Sequence, residues 1–236
     1  MDILFLIFFF IIIFYSIILH EIAHGYAAYR NGDATAYNAG RLTLNPISHI
    51  DAIGSIVVPI FSYLVLKFPF GWAKPVPYNP NNIQDKKYAE LEISAAGILT
   101  NFFLALSAVA IFYILSFLGF SNPATTLILQ TITSVNLFLG LFNLLPFPPA
   151  DGYSIFTELF AFLKDFWLKI KNKFSKKKEY EAIYVNDINS FKHKSYTIKH
   201  IFSNPIMMIL IIIVAVNVFQ FFVPYIMSFI NFLYSF

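Results

Sequence analysis

A chain of 236 residues with 58% hydrophobic residues, 29 Phe and only 12% charged residues falls well short of the charged share of about a quarter found in soluble domains, and it reads as a polytopic membrane protein. The formal net charge is +3 and cysteine is absent. Disulfides and thiolate ligands are therefore excluded, any metal must be held by His, Asp or Glu, and no nucleic-acid partner is expected.

In chain order, the first element runs from Ile3 through an uncharged stretch to Leu19 and on to about Tyr29. No A-x-A-like cleavage site follows the apolar run, so it is expected to remain as a helix and not to be removed as a signal peptide. At its far end stands His20-Glu21-Ile22-Ala23-His24. Residues four apart share a helix face, so both imidazoles can reach one ion with Glu21 beside them. Two His and a Glu inside an apolar segment cost several kcal/mol unless paired or ligating, which disfavours a chance occurrence of the pattern. The chemistry implied is metal-assisted hydrolysis, with Glu21 as the base that takes a proton from water.

Next, residues 33–46 are rich in turn formers with short alternating stretches, which predicts a small hairpin. Ile50 to Leu66 follows, and then Trp72-Ala73-Lys74-Pro75-Val76-Pro77-Tyr78, whose prolines predict an extended strand at a sheet edge. Leu91 to Phe120 and Ala124 to Leu145 are long apolar runs; Gly97 and Asn101 on the first of these suit close helix packing and an interhelical hydrogen bond. A basic stretch from Lys164 to Lys199 holds ten of the 16 cations, and a last apolar run covers Ile206 to Val223. The expected fold is an all-α polytopic membrane protein: about four to six transmembrane helices, a re-entrant segment, and a small membrane-associated β-hairpin or sheet. Residues 1–160 form the core, 161–200 a basic cytoplasmic loop, and 201–236 a C-terminal transmembrane segment.

Charge placement sets the orientation, because cytoplasmic loops carry the excess of Lys and Arg. The connection Gly119 to Pro123 has no cation, nor does the chain before His20. Both are expected outside, with the H-E-x-x-H toward the cytoplasmic end of the first helix. Cations flank Ile50 to Leu66 on both sides, so that segment is expected to enter and leave by one face. The expected location is a prokaryotic cytoplasmic membrane, in contact with its lipids.

A tetrahedral site needs a third protein ligand at the same depth. The second long run after the motif ends in Asn143-Leu144-Leu145-Pro146-Phe147-Pro148-Pro149-Ala150-Asp151-Gly152, which brings Asp151 to the matching end. Prolines break the helix there, and Gly152 permits a tight backbone approach. An H-E-x-x-H at His20 to His24 paired with an N-x-x-P-x-x-P-x-D-G-like element at Asn143 to Gly152 resembles the site-2 protease family of intramembrane zinc metalloproteases. The stretches Leu42 to Pro46, Gly71 to Pro77 and Ala96 to Asn101 look like those of its compact subgroup without PDZ or CBS domains. Where the family often has Pro after the glycine of the last stretch, this chain has Ile98.

The resemblance implies that His20, His24 and Asp151 hold one Zn2+, that Glu21 is the general base, and that Asn143 lies near the scissile carbonyl. The function expected is hydrolysis of a peptide bond within or near the cytoplasmic end of a transmembrane helix, the substrate being a single-pass membrane protein. Trp72, Lys74 and Val76 are the expected substrate-binding residues, through strand pairing. The alternative of a different class is a zinc or proton-coupled transporter. It is disfavoured because its acidic and His residues should spread along several helices, whereas here they sit at one depth.

Overall fold

The structure is a computed structural model that describes residues 3–66, 73–83, 88–148, 150–173 and 220–235. Among them are seven α-helices: α1 Ile3–Arg30, α2 Thr35–Asn38, α3 Val58–Leu66, α4 Ala89–Phe117, α5 Pro123–Asn143, α6 Asp151–Lys173 and α7 Gln220–Leu233. Three of these, α1, α4 and α5, are long and apolar enough to cross a membrane, which makes the chain an integral membrane protein. The 28 residues of α1 give about 42 Å at 1.5 Å per residue, more than a hydrocarbon core of about 30 Å. Of the last apolar run expected, residues 206–219 lie outside the described residues.

The chain divides into two units, residues 1–141 with 225–236, and residues 142–224. In the first, α1 packs against α4 in antiparallel sense: His20 meets Asn101, and Asn31 near the end of α1 meets Glu92 at the start of α4. Small residues make the close approach possible. Ala27 and Ala28 form an apolar cluster with Ile83, Ala89 and Ile93. Glu90 and Glu92 in the first turn of α4 and Arg30 in the last turn of α1 complement the helix dipoles. The exposed Arg30–Glu92 pair at 3.8 Å adds little beyond that.

Farther along α4, Ala108 and Phe112 pack on Leu129 of α5 and on Tyr234. The phenol of Tyr234 also shares a 2.8 Å hydrogen bond with Thr133. Tyr113 donates to the Leu233 carbonyl and Gln130 to Asn231. The chain after Tyr225 is thereby tied to the end of this unit that carries the α4–α5 connection.

Two expectations are corrected. No strand occurs among the described residues, so neither the hairpin over 33–46 nor the described part, 73–78, of the expected strand forms. The cause is local turn chemistry. Gly32, at φ 97°, closes α1 with Asp33 N–H donating to Ala28 and Gly32 N–H to Tyr29, the bond pattern of a left-handed helix end. Asp33 Oδ1 then accepts from Thr35 N–H at 3.1 Å and from its hydroxyl at 2.5 Å, starting the single turn α2. Gly40, at φ 64°, ends α2 by the same pattern, with Arg41 N–H donating to Ala36. Asn45 next accepts from Ile47 N–H and, with Pro46 at the first position, opens a 3-10 turn over Pro46–His49.

Residues 73–79 are extended but have no ladder partner. Arg41 donates to the Lys74 carbonyl at 2.7 Å, Lys74 N–H to the His49 carbonyl at 2.9 Å, and Asn79 N–H to Asp33 Oδ2 at 2.6 Å. Pro75 and Pro77 have no N–H to offer a sheet, so side chains and loop carbonyls hold the segment instead. Trp72 lies outside the described residues.

The expected re-entrant segment is a π-helical turn, Ile53–Val57, leading into α3. Asp51 opens it by accepting from Ile53 and Gly54 N–H, while Ser55 returns a hydroxyl oxygen to Asp51 N–H. The wide turn directly precedes Pro59, whose missing N–H removes one α-helical bond at that point. The nine residues of α3 span about 13 Å, less than half a hydrocarbon core.

In the second unit the chain turns at Phe142–Leu145 and again at Phe147–Ala150, and α6 begins at Asp151. A Cβ on Gly152 would overlap the Leu144 carbonyl and lie 2.5 Å from the Leu145 carbonyl oxygen, so the return of the chain here requires glycine. Residues 161–173 of the expected basic loop are helical, as the second half of α6.

Candidate metal centre

The two motif histidines lie six and ten residues before Arg30, about 9 and 15 Å inside the polar end of α1. His20 is buried and His24 half-buried. Their Nε2 atoms face each other at 3.0 Å. Each Nδ1 is engaged elsewhere: His20 Nδ1 is 2.6 Å from Asn101 Oδ1, and His24 Nδ1 is 2.6 Å from the Ile93 carbonyl. A carbonyl only accepts, so Nδ1 of His24 carries its proton and the lone pair lies on Nε2. With Asn101 presenting its oxygen, His20 is in the same state.

Two neutral imidazoles in this state direct two lone pairs at one point, an arrangement that a cation between them would stabilise. Two ligands at 2.0–2.1 Å from a tetrahedral zinc stand about 3.3 Å apart, close to the 3.0 Å found. Orientation of metal-binding His through Nδ1–H to a carbonyl is the usual supporting arrangement for such ligands. The donor set therefore fits zinc.

Gly97 makes the arrangement sterically possible. A Cβ there would sit 2.5 Å from His20 Cε1 and 2.5 Å from His24 Nε2. Backbone, not side chain, forms the wall of α4 against the imidazoles, and the Ile93 carbonyl one turn earlier stays open to His24. The packing role expected of Gly97 and the interhelical bond expected of Asn101 both occur.

Glu21, half-buried, accepts from Val76 N–H through Oε2 at 2.8 Å. The side chain of Val76 covers Gly25, where a Cβ would lie 2.7 Å from Val76 Cγ1. The extended segment thus crosses α1 at the level of the motif, with Val76 buried and Lys74 exposed.

Asn143 is the last residue of α5 and Asp151 the first of α6, both half-buried. His20 and His24 belong to the first unit and Asp151 to the second. Residue reading did not find Asn136, buried on α5 behind Asn101. A lone amide in the middle of an apolar run was the available signal, since membrane-buried amides need partners.

No family model and no solved structure matches the chain. The chain is 40% identical over 149 residues, 61% of its length, to the Putative zinc metalloprotease YwhC of Bacillus subtilis (strain 168). The match covers just under two thirds of that relative, 65%. The resemblance carried by the paired motifs therefore has independent support in sequence identity: over those 149 residues the chain is similar to a protein named as a putative zinc metalloprotease.

Proposed function

We propose that this chain is a zinc-dependent endopeptidase that cuts a peptide bond within or near the cytoplasmic end of a transmembrane helix of a single-pass substrate protein. The observation that carries the reading is the facing pair of Nε2 atoms at 3.0 Å, each imidazole anchored through Nδ1, inside a helix long enough to cross a membrane. Identity with a relative named as a putative zinc metalloprotease supports it.

In this reading His20, His24 and Asp151 hold zinc, which when bound supplies the Lewis acidity that makes water nucleophilic near neutral pH. Glu21 takes the proton of the attacking water and delivers it to the departing amine. The bond from Val76 N–H fixes the carboxylate of Glu21 on the motif's face of α1. Asn143 donates its amide N–H to the oxyanion that forms at the scissile carbonyl, a contribution of about 10² to 10³ in kcat where such donors have been removed. Lys74 and Val76 bind an unwound substrate, as does Trp72 outside the described residues, because a helical backbone hides its carbonyls in its own hydrogen bonds.

Zinc content and cleavage of a candidate single-pass substrate, measured on the same purified preparations, test this. Glu21→Gln should keep about one zinc per chain and lose cleavage; His20→Ala, His24→Ala and Asp151→Ala should lose both. A Glu21→Gln protein that cleaves at the wild-type rate removes the mechanism. A wild-type protein that binds zinc without cleaving any substrate, and releases it across a vesicle membrane, is the outcome a transporter would give.

A further inference from the structure

Behind the imidazole pair runs a chain of hydrogen bonds whose polarity is set at one end. On α5, Asn136 Nδ2 donates to the Ile132 carbonyl at 2.9 Å. That carbonyl only accepts, so the amide nitrogen of Asn136 must face it and Oδ1 must face the other way. Oδ1 receives Asn101 Nδ2 of α4 at 3.0 Å, which turns Asn101 Oδ1 toward His20 Nδ1 of α1 at 2.6 Å. Each amide has one orientation that satisfies both of its neighbours.

We infer that Asn101 and Asn136 are positioning residues that fix His20 as the Nδ1–H tautomer, so that its Nε2 lone pair faces His24. With Asn101 0% and Asn136 1% exposed, water is not at hand to substitute for a lost partner. If Asn101 turned over, its NH2 would face His20 Nδ1, the imidazole proton would move to Nε2, and the ligand lone pair would be gone. His24 needs no such relay, because the Ile93 backbone carbonyl dictates its tautomer directly. The dependence falls on one ligand only, and it originates in a backbone carbonyl two helices away.

The inference deepens the zinc reading and rests on it for its consequence; the tautomer itself belongs to the metal-free protein. The test uses ¹⁵N NMR of His-labelled, chelator-stripped full-length protein, to see which ring nitrogen of His20 is protonated, together with zinc affinity by chelator competition. Wild type should show Nδ1–H. Asn136→Leu should populate Nε2–H and bind zinc about 10- to 100-fold more weakly, the usual effect of removing such a partner. Asn101→Asp should keep Nδ1–H, since a carboxylate can only accept.

The decisive variant combines Asn101→Asp with Asn136→Leu: its affinity should equal that of Asn101→Asp alone, because an acceptor that cannot turn the wrong way needs no orienting partner. Nδ1–H and wild-type affinity in Asn136→Leu would overturn the inference. So would an equal loss from Asn136→Leu in both backgrounds, the result expected of packing alone. Should Asn136→Leu not fold, Asn136→Asp replaces it; this still accepts from Asn101 and should keep Nδ1–H, and its loss counts against the relay. A wild-type protein that shows Nδ1–H but binds no zinc removes the metalloprotease reading and leaves the relay standing.

Discussion

Gly97 leaves the two imidazoles the room they occupy against α4. A methyl group there would lie 2.5 Å from atoms of both imidazoles, and overpacking of this kind costs about 1–3 kcal/mol, relieved by moving the neighbours. We expect Gly97→Ala to insert and fold but to bind zinc more weakly than wild type by tenfold or more, because the rings that must move are the proposed ligands. Chelator competition on the purified variant checks this; wild-type affinity would mean that α4 gives way and the rings do not. The H-E-x-x-H pair was legible because i and i+4 meet on any helix. The Asn101–Asn136 bond was not, since it joins residues 35 apart and depends on how two helices rotate against each other.

At the scale of elements, the crosspiece 73–83 shows why a strand reading failed. Pro75 and Pro77 mark extended backbone without supplying a ladder partner, and an Asp that collects donors takes that partner's place. Asp33 is fully buried and holds Thr35, Asn79 and Asn82. Burial pushes its carboxyl up, but the Thr35 hydroxyl, Asn79 N–H, the Asn82 amide and Thr35 N–H outweigh this and hold it below the ordinary carboxylate value. A lowered native value means stability that is fully present above the unfolded pKa, near 4, and lost as pH falls through the native one. Asp33→Asn should therefore lower the thermal midpoint at pH 7, and its gap from wild type should narrow toward pH 3. An unchanged gap across that range would show that the charge of Asp33 contributes nothing.

For the molecule as a whole, the three long apolar helices were readable from run length alone, whereas the side on which each end lies rests on the cation bias. Because the chain has no cysteine, single cysteines can be read without background. Residues 113, 130 and 133 bind the chain's last described turn, so Cys at Ser235 should react from the same side as Cys at Ser121. Membrane-impermeant reagents should reach both from outside, and should not reach Cys at Tyr78. Labelling of the first two from opposite sides would contradict the packing of α7; labelling of the third from outside would contradict the orientation.

The same docking sets an order of manufacture. By the time the ribosome makes residues 225–235, α4 and α5 have already left it, and until then Gln130, Thr133 and Tyr113 are without Asn231, Tyr234 and Leu233. Until residues 225–235 emerge, the nascent protein lacks the partners that the finished one gives to an amide and two hydroxyls. A message cut short before that point would yield a product in which those three groups lack these partners, even with every motif of the proposed protease already translated.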